Sequence, residues 1–165
     1  MQFLSQSDII KVSEISKNIE DSIACGCFYR RRKMAVISEL IRVESNGTIS
    51  FGDYTLEQKA KYVEGSYKVK TYKDITKLEC NDVFVYESVP GTAVTNFVKE
   101  EGKVSFGVEG PEDAQITLEL EADSDYEINV NNESVGTMHT NLGGKLSLSV
   151  ELEENAIVSI VVEKR

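Results

Sequence analysis

Residues 145–152, Lys-Leu-Ser-Leu-Ser-Val-Glu-Leu, alternate strictly between polar and apolar side chains. This period of two is typical of a β-strand that buries one face, because successive side chains of a strand point to opposite sides. The same alternation occurs in residues 104–108, 116–120, 126–130 and 158–162. Turn-forming residues separate these stretches, so the C-terminal half is predicted to form antiparallel β-sheet.

The pattern continues towards the N-terminus with less regularity. Asn46-Gly47 predicts a hairpin turn, because Asn and Gly both accept positive φ, and Pro90-Gly91 predicts a second turn. Residues 55–63 fit either a strand or a helical turn, and Lys73–Glu79 is predicted to form one helical turn over the sheet. Further strands are predicted near 35–43, 49–54, 67–71, 83–86 and 93–98.

About ten short strands, each half apolar and half polar, predict an all-β fold: an antiparallel β-sandwich of jelly-roll or Ig-like type. Residues 34–100 and 101–165 form either two small β units joined near 99–103 or one continuous sandwich. The β-branched segment 157–162 would aggregate on an exposed edge. It is therefore predicted to lie inside a sheet or in an oligomer interface, with Glu163-Lys164-Arg165 as charged gatekeepers.

The first 33 residues allow two main interpretations. Arg30-Arg31-Arg32-Lys33-Met34 can be encoded by AGG-AGG-AGG-AAA-ATG, a bacterial ribosome-binding site followed by a start codon, so the favoured interpretation is a mis-called start with translation beginning at Met34. The alternative is a loosely attached helix at about 8–24, because Ile9, Val12, Ile15, Ile19 and Ile23 recur at helical spacing. No secretory signal and no apolar run long enough to span a membrane is present.

Composition limits the function classes. The chain carries a net charge of −10, and residues 34–165 hold 12 basic against 24 acidic side chains, a net charge of −12. Such a surface repels phosphate backbones and anionic lipids, so neither nucleic acid nor membrane is expected as a partner. Cys80 is the single cysteine after Met34 and cannot form an internal disulfide, which fits a reducing compartment or a cysteine-poor anaerobe. A cytoplasmic location is expected because the sequence shows no secretory signal or membrane-spanning segment.

No catalytic, cofactor-binding or metal-binding residue is predicted. His139, the only histidine, is interpreted as a surface or strand-edge residue, and Cys80 lacks a basic partner in the sequence. One His and one Cys cannot supply the ligands of a zinc site, and no cofactor is expected.

Acidic turns, a Gly-Gly-Lys segment and several tyrosines are the other features whose composition resembles that of ligand sites. Glu112-Asp113, Asp123-Ser124-Asp125 and Asn129–Glu133 match no calcium-loop spacing and are interpreted as solvated turns. Gly143-Gly144-Lys145 precedes a strand, whereas a phosphate-binding loop precedes a helix. Six tyrosines follow Met34 and could stack on sugar rings or pack the sheets: Tyr54, Tyr62, Tyr67, Tyr72, Tyr86 and Tyr126.

Several stretches resemble a family of short, uncharacterised all-β proteins from gut Clostridia (Firmicutes) that often carry the label "endosialidase". The matching stretches are 34–37, 39–42, 47–52, 67–71, 75–79, 84–94, 112–120 and 140–147. The resemblance covers residues 34–165 and implies a glycan-associated accessory module or a glycoside hydrolase. It supplies no functional residues that can be transferred to this chain.

The residues themselves favour a non-enzymatic binding or assembly module, with the sheet surfaces or acidic loops contacting a protein or glycan partner, and they suggest a homo-oligomer. The alternative is the glycan-associated or endosialidase-like module that the resemblance implies.

Overall fold

The computed structural model describes residues 40–153 and 156–165, which fold into two antiparallel β-sheets. The strands are β1 (Ile41–Val43), β2 (Ile49–Phe51), β3 (Ala60–Glu64), β4 (Tyr67–Tyr72), β5 (Ile75–Cys80), β6 (Val83–Val89), β7 (Ala93–Glu100), β8 (Lys103–Glu109), β9 (Ala114–Glu119), β10 (Asp125–Val130), β11 (Glu133–His139), β12 (Lys145–Val150) and β13 (Val158–Lys164). The predicted helix at 8–24 and the start of the predicted strand 35–43 lie outside the described residues.

The two sheets pack as a sandwich, which confirms the predicted fold class. The seven-stranded sheet has the order β1-β2-β7-β8-β13-β10-β11, and the six-stranded sheet has the order β12-β9-β6-β5-β4-β3. Strands on either side of residues 100–101 pair with each other in both sheets, β7 with β8 and β6 with β9. The described residues of both segments therefore share the same two sheets.

One apolar core fills the space between the sheets. Its aromatic centre joins Phe51, Phe97 and Phe106 of the seven-stranded sheet to Tyr86 of the six-stranded sheet. The ring centroids of Phe51 and Phe106 lie 5.4 and 5.6 Å from that of Tyr86, in edge-to-face contact. Where a strand alternates between buried and exposed residues, as β9 and β12 do, its outer face is left for polar side chains.

A cluster of buried hydroxyl groups lies beside this core, where the chain crosses from β6 to β7. The Thr92 hydroxyl lies 2.9 Å from the Tyr86 hydroxyl and 2.7 Å from that of Ser88. The Thr76 hydroxyl donates to the Thr92 carbonyl at 2.7 Å and lies 2.8 Å from the Thr71 hydroxyl. All five residues are fully buried, so these hydrogen bonds satisfy polar groups that water cannot reach.

Both predicted turn sequences lie between consecutive strands. Asn46-Gly47 joins β1 to β2 as predicted, with Gly47 at a φ of +82°. Pro90-Gly91 lies where the chain leaves β6 for β7 in the other sheet, after a cis Val89–Pro90 peptide bond.

The helical turn predicted at Lys73–Glu79 is wrong, because β5 occupies most of that segment. Ile75 and Leu78 have the three-residue spacing of a helix, but Tyr72 pairs with Ile75 across a two-residue turn and Thr76 and Leu78 both point into the core. The ambiguous segment 55–63 contributes the start of β3.

The β-branched segment near the C-terminus lies inside a sheet, as one of the two predicted alternatives required. Strand β13 pairs with β8 on one side and β10 on the other. No helix among residues 40–153 and 156–165 has the length and apolar character needed to cross a membrane.

Candidate ligand face

The two side chains most suited to catalysis lie in different sheets. His139 ends the edge strand β11 of the seven-stranded sheet, whereas Cys80 ends β5 of the six-stranded sheet and packs partly against the core. The Asn81 side-chain amide lies 3.8 Å from the Cys80 sulfur. Within the described ranges, no group of three or more His, Cys, Asp or Glu side chains is arranged to hold a metal ion.

His139 is held between two carboxylates. Its Nδ1 lies 2.8 Å from Asp125 Oδ1, and its Nε2 lies 3.1 Å from Asp123 Oδ1. Hydrogen bonding to Asp125, then to Asp123, raises the pKa of His139 above its ordinary value. The sequence predicted His139 at a surface or strand edge but did not predict its hydrogen bonds with Asp123 and Asp125. The contact with Asp123 links the 120–124 turn to β11.

The Gly143-Gly144-Lys145 loop and the Glu112-Asp113 turn are each held by hydrogen bonds between a side chain and the backbone. The Asn141 side-chain oxygen accepts hydrogen bonds from the backbone N–H groups of Gly143 and Lys145, both at 2.9 Å, so this loop is closed on itself. In the Glu112-Asp113 turn, Asp113 accepts a hydrogen bond from the Leu152 backbone N–H at 3.1 Å.

The tyrosines do not form one platform for a sugar. Tyr54, Tyr86 and Tyr126 are buried. Tyr62, Tyr67 and Tyr72 lie on β3 and β4 with partial or full exposure.

The most distinctive surface of the described residues is the outer face of the six-stranded sheet. Lys77 on β5 lies directly opposite Lys70 on β4, and Lys70 lies directly opposite Lys61 on β3. Their neighbours Val69 and Leu78 point inward and are fully buried, so the three lysines share the outer face. We call Lys61, Lys70 and Lys77 the lysine row.

The row costs stability, because like charges directly opposite each other in a sheet repel. Side chains opposite each other on adjacent strands have Cβ atoms about 5 Å apart. Acidic side chains outnumber basic ones two to one in residues 34–165. Even so, lysine occupies all three of these neighbouring positions.

Carboxylates partly neutralise this face, and Glu79 contacts more of its lysines than any other described carboxylate. Glu79 lies 3.0 Å from Lys77, 3.1 Å from Lys68 and 3.9 Å from Lys70, measured between Oε and Nζ atoms. Hydrogen bonds from Lys77 and Lys68 lower the pKa of Glu79 to about 2. Its side chain is only 13% exposed because the lysines surround it. Lys68 also lies 3.6 Å from Asp82, and Glu87 lies directly opposite Lys77 on β6. Lys61 and Lys70, which lie opposite each other, keep the greater capacity for a second anionic partner.

An aromatic ring lies within the same face. Phe84, opposite Glu79 on β6, has the Lys145 Nζ 4.9 Å and the Lys77 Nζ 5.5 Å from its ring centroid. These cation–π contacts hold two ammonium groups close to the sheet. They also occupy the ring surface on which a sugar would stack.

The alternation in the sequence predicts that these lysines point outward, but it does not predict that they lie beside one another. Lys68 and Lys70 flank the inward Val69, and Lys77 precedes the inward Leu78, which places each lysine on a solvated side. Only the register between β3, β4 and β5 brings the lysines of the row together.

A second charged surface, at the opposite sheet, is internally paired. A shallow depression of about 460 Å³ is lined by residues 100–103, Glu121 and residues 163–165. Lys164 pairs with Glu121, and Lys103 lies 3.8 Å from Glu163. Each of these two lysines has a carboxylate partner, whereas Lys61 of the lysine row has another lysine as its cross-strand neighbour.

Comparison of the chain with family models, curated proteins and solved structures found no match.

Proposed function

We propose that this protein is a non-enzymatic binding module that holds an acidic segment of a protein partner against the outer face of its six-stranded sheet. The lysine row carries the proposal. A row of directly opposed lysines costs folding stability, and an acidic partner that supplies carboxylates to Lys61, Lys70 and Lys77 offsets that cost when it binds.

The overall charge favours a short acidic peptide over a nucleic acid. Residues 34–165 contain only two arginines, Arg42 and Arg165, and neither belongs to the lysine row. Arginine holds carboxylate or phosphate through two parallel hydrogen bonds, whereas lysine attracts either anion as a point charge. The overall charge of −10 also opposes a long nucleic acid, which would extend beyond the face.

The aromatic content of the face favours a peptide over a glycan. Two ammonium groups cover the Phe84 ring of this face. A carboxylate side chain needs only the ammonium groups, which are partly exposed. A glycan partner, the alternative implied by the family resemblance, is therefore kept as an arm of the test.

The test is fluorescence anisotropy of a labelled glutamate-rich peptide titrated with the full chain. We expect binding that weakens as ionic strength rises to roughly 0.15 M. In a variant with Lys70→Gln and Lys77→Gln, the dissociation constant should rise roughly tenfold, since each exposed ion pair contributes up to about 1 kcal/mol.

The matched control carries Lys99→Gln and Lys103→Gln, which change the net charge equally but lie on β7 and β8 of the other sheet. This control should bind the peptide nearly as well as the parent protein. Equal loss in both variants would show a nonspecific charge effect and contradict the proposal. A carboxylated polysaccharide or an RNA homopolymer that binds the face more tightly than the peptide would replace the proposed partner class.

A further inference from the structure

Strand β3 is the edge of the six-stranded sheet at which the lysine row ends. Among the described strands it pairs only with β4. Residues 61–64, all but the first residue of this strand, are exposed. An edge strand presents backbone N–H and C=O groups with which a strand of another chain can pair. The lysine row therefore borders an accessible pairing site.

The hairpin between β3 and β4 determines which backbone groups face outward. Glu64 pairs with Tyr67 across a two-residue turn. Residues that flank such a turn form a hydrogen-bonded pair, and hydrogen-bonded pairs recur at every second residue of an antiparallel ladder. Tyr62 therefore directs its backbone groups towards β4, and the backbone N–H and C=O groups of Lys61 and Val63 point away from the sheet.

The side chains of this edge define the strand that fits beside it. Lys61 and Val63 lie on the outer face of the sheet, and Val63 is 57% exposed. Tyr62 lies on the inner face, because it is directly opposite the buried Val69. Its side chain is nevertheless 45% exposed, because no described strand lies beyond β3. The edge thus offers an ammonium group and a valine on one face and a tyrosine ring on the other.

We propose, on the basis of the function proposed above, that the acidic segment of the partner pairs antiparallel with β3 as an added strand. A glutamate of the segment lies opposite Lys61. The residue before this glutamate is apolar and packs beside Tyr62, and the residue before that is apolar and lies opposite Val63. Acidic residues that follow the glutamate leave the edge and cross the outer face over Lys70 and Lys77.

The charge of Lys61 selects this partner. A lysine on an edge strand usually discourages pairing with another sheet. A glutamate directly opposite it has the reverse effect, because opposite charges stabilise an antiparallel pair. Lys61 has only another lysine, Lys70, as its described cross-strand neighbour, so the added glutamate supplies the carboxylate. At the opposite edge of the sheet, the exposed Ser147 and Ser149 of β12 carry no charge that selects a partner.

The orientation follows the rest of the fold. All strand pairs of the described sheets are antiparallel, and antiparallel pairing is slightly more stable per residue than parallel pairing. In this orientation, the valine and the first glutamate of a peptide Ser-Val-Tyr-Glu-Asp-Glu lie opposite Val63 and Lys61. Their backbone N–H groups donate to β3, whereas those of the tyrosine and the aspartate point away from it.

The test is fluorescence anisotropy of this labelled peptide titrated with the full chain. Methylation of the backbone nitrogens of the valine and the first glutamate removes the two N–H groups that donate to β3. We expect the dissociation constant to rise roughly tenfold. The matched control carries methyl groups on the tyrosine and aspartate nitrogens, with the same charge. It should bind within roughly twofold of the unmodified peptide.

A charge swap tests the register from the side of the protein. Lys61→Glu should weaken binding of the peptide roughly tenfold, because it places like charges opposite each other. A peptide with lysine in place of the first glutamate should recover most of this loss with Lys61→Glu. The matched control is Lys59→Glu, which makes the same change of charge at an exposed residue outside β3. The lysine peptide should recover less of the loss there.

The outcomes separate this proposal from the proposed function. If the methylated test peptide binds as tightly as the methylated control, and binding still requires Lys70 and Lys77, the acidic partner stands and the added strand is wrong. A larger loss with the methylated control than with the test peptide would also overturn the added strand, because it places the other N–H groups against the protein. Absence of any binding at low ionic strength would overturn both proposals.

Discussion

The buried hydroxyl cluster gives the sharpest stability prediction, through the substitution Thr92→Val. Valine nearly matches the shape of threonine but removes the hydroxyl that lies 2.9 Å from the Tyr86 hydroxyl and 2.7 Å from that of Ser88. Thr92, Tyr86 and Ser88 are fully buried. The substitution therefore leaves two buried polar groups without this shared partner, while the packing volume hardly changes.

The expected cost follows from those two groups. Leaving one buried group unsatisfied costs about 1–3 kcal/mol. Ser88 also hydrogen-bonds Tyr86, so these two side chains can partly satisfy each other after the substitution. We therefore expect Thr92→Val to lower the free energy of unfolding by about 2–3 kcal/mol.

Urea unfolding followed by far-ultraviolet circular dichroism measures this change, and tyrosine fluorescence can serve as a second probe because the chain has no tryptophan. The control is Thr117→Val on the outer face, where the exposed hydroxyl lies 2.9 Å from that of Ser147. It should cost less than about 0.5 kcal/mol. If Thr92→Val costs no more than this control, the hydroxyl cluster does not stabilise the crossing between the sheets.

Three further predictions concern other parts of the fold. Gly91→Ala should lower the free energy of unfolding by about 2–3 kcal/mol, because a Cβ there overlaps the Tyr72 carbonyl oxygen, and thermal unfolding measures it. The raised pKa of His139 stabilises the fold below about pH 6.5, and this stability is lost as pH rises through the folded-state pKa; His139→Gln should abolish that slope in urea titrations between about pH 6 and pH 9. The lowered pKa of Glu79, about 2, stabilises the fold above about pH 4.5, and this stability is lost as pH falls towards 2. Glu79→Gln should therefore reduce the loss of unfolding free energy between about pH 4.5 and pH 2 in urea titrations. The same variant should bind the peptide more tightly in the anisotropy assay.

The regular strands could be predicted from sequence because their information is local. Residues 145–150 and 126–130 alternate so clearly that the buried face of each strand follows from the pattern. The turn predicted within Asn129–Glu133 is also present, and its Asn131 and Asn132 adopt the positive φ that asparagine tolerates, +51° and +66°.

Features that depend on register between distant segments could not be predicted. Lys61, Lys70 and Lys77 become neighbours only because β3, β4 and β5 pair in one particular register. Thr92 and Thr76 likewise meet only after the chain changes sheets at Pro90-Gly91. Alternation predicts which face a residue occupies, but it does not predict which residue will lie beside it.

The helical turn predicted at Lys73–Glu79 illustrates the same limit within a short segment. The apolar residues Ile75 and Leu78 are compatible with one helical turn when they are considered alone. Pairing of β5 with both β4 and β6 decides for a strand, and this pairing involves residues as distant as Ser88.

A ¹H–¹⁵N NMR titration of the full chain with the glutamate-rich peptide shows whether the lysine row is a binding surface. We expect chemical-shift changes concentrated on the backbone amides of β3, β4 and β5, including Lys61, Lys70 and Lys77. Changes concentrated instead at residues 100–103 and 163–165, or no saturable change at low ionic strength, would contradict it.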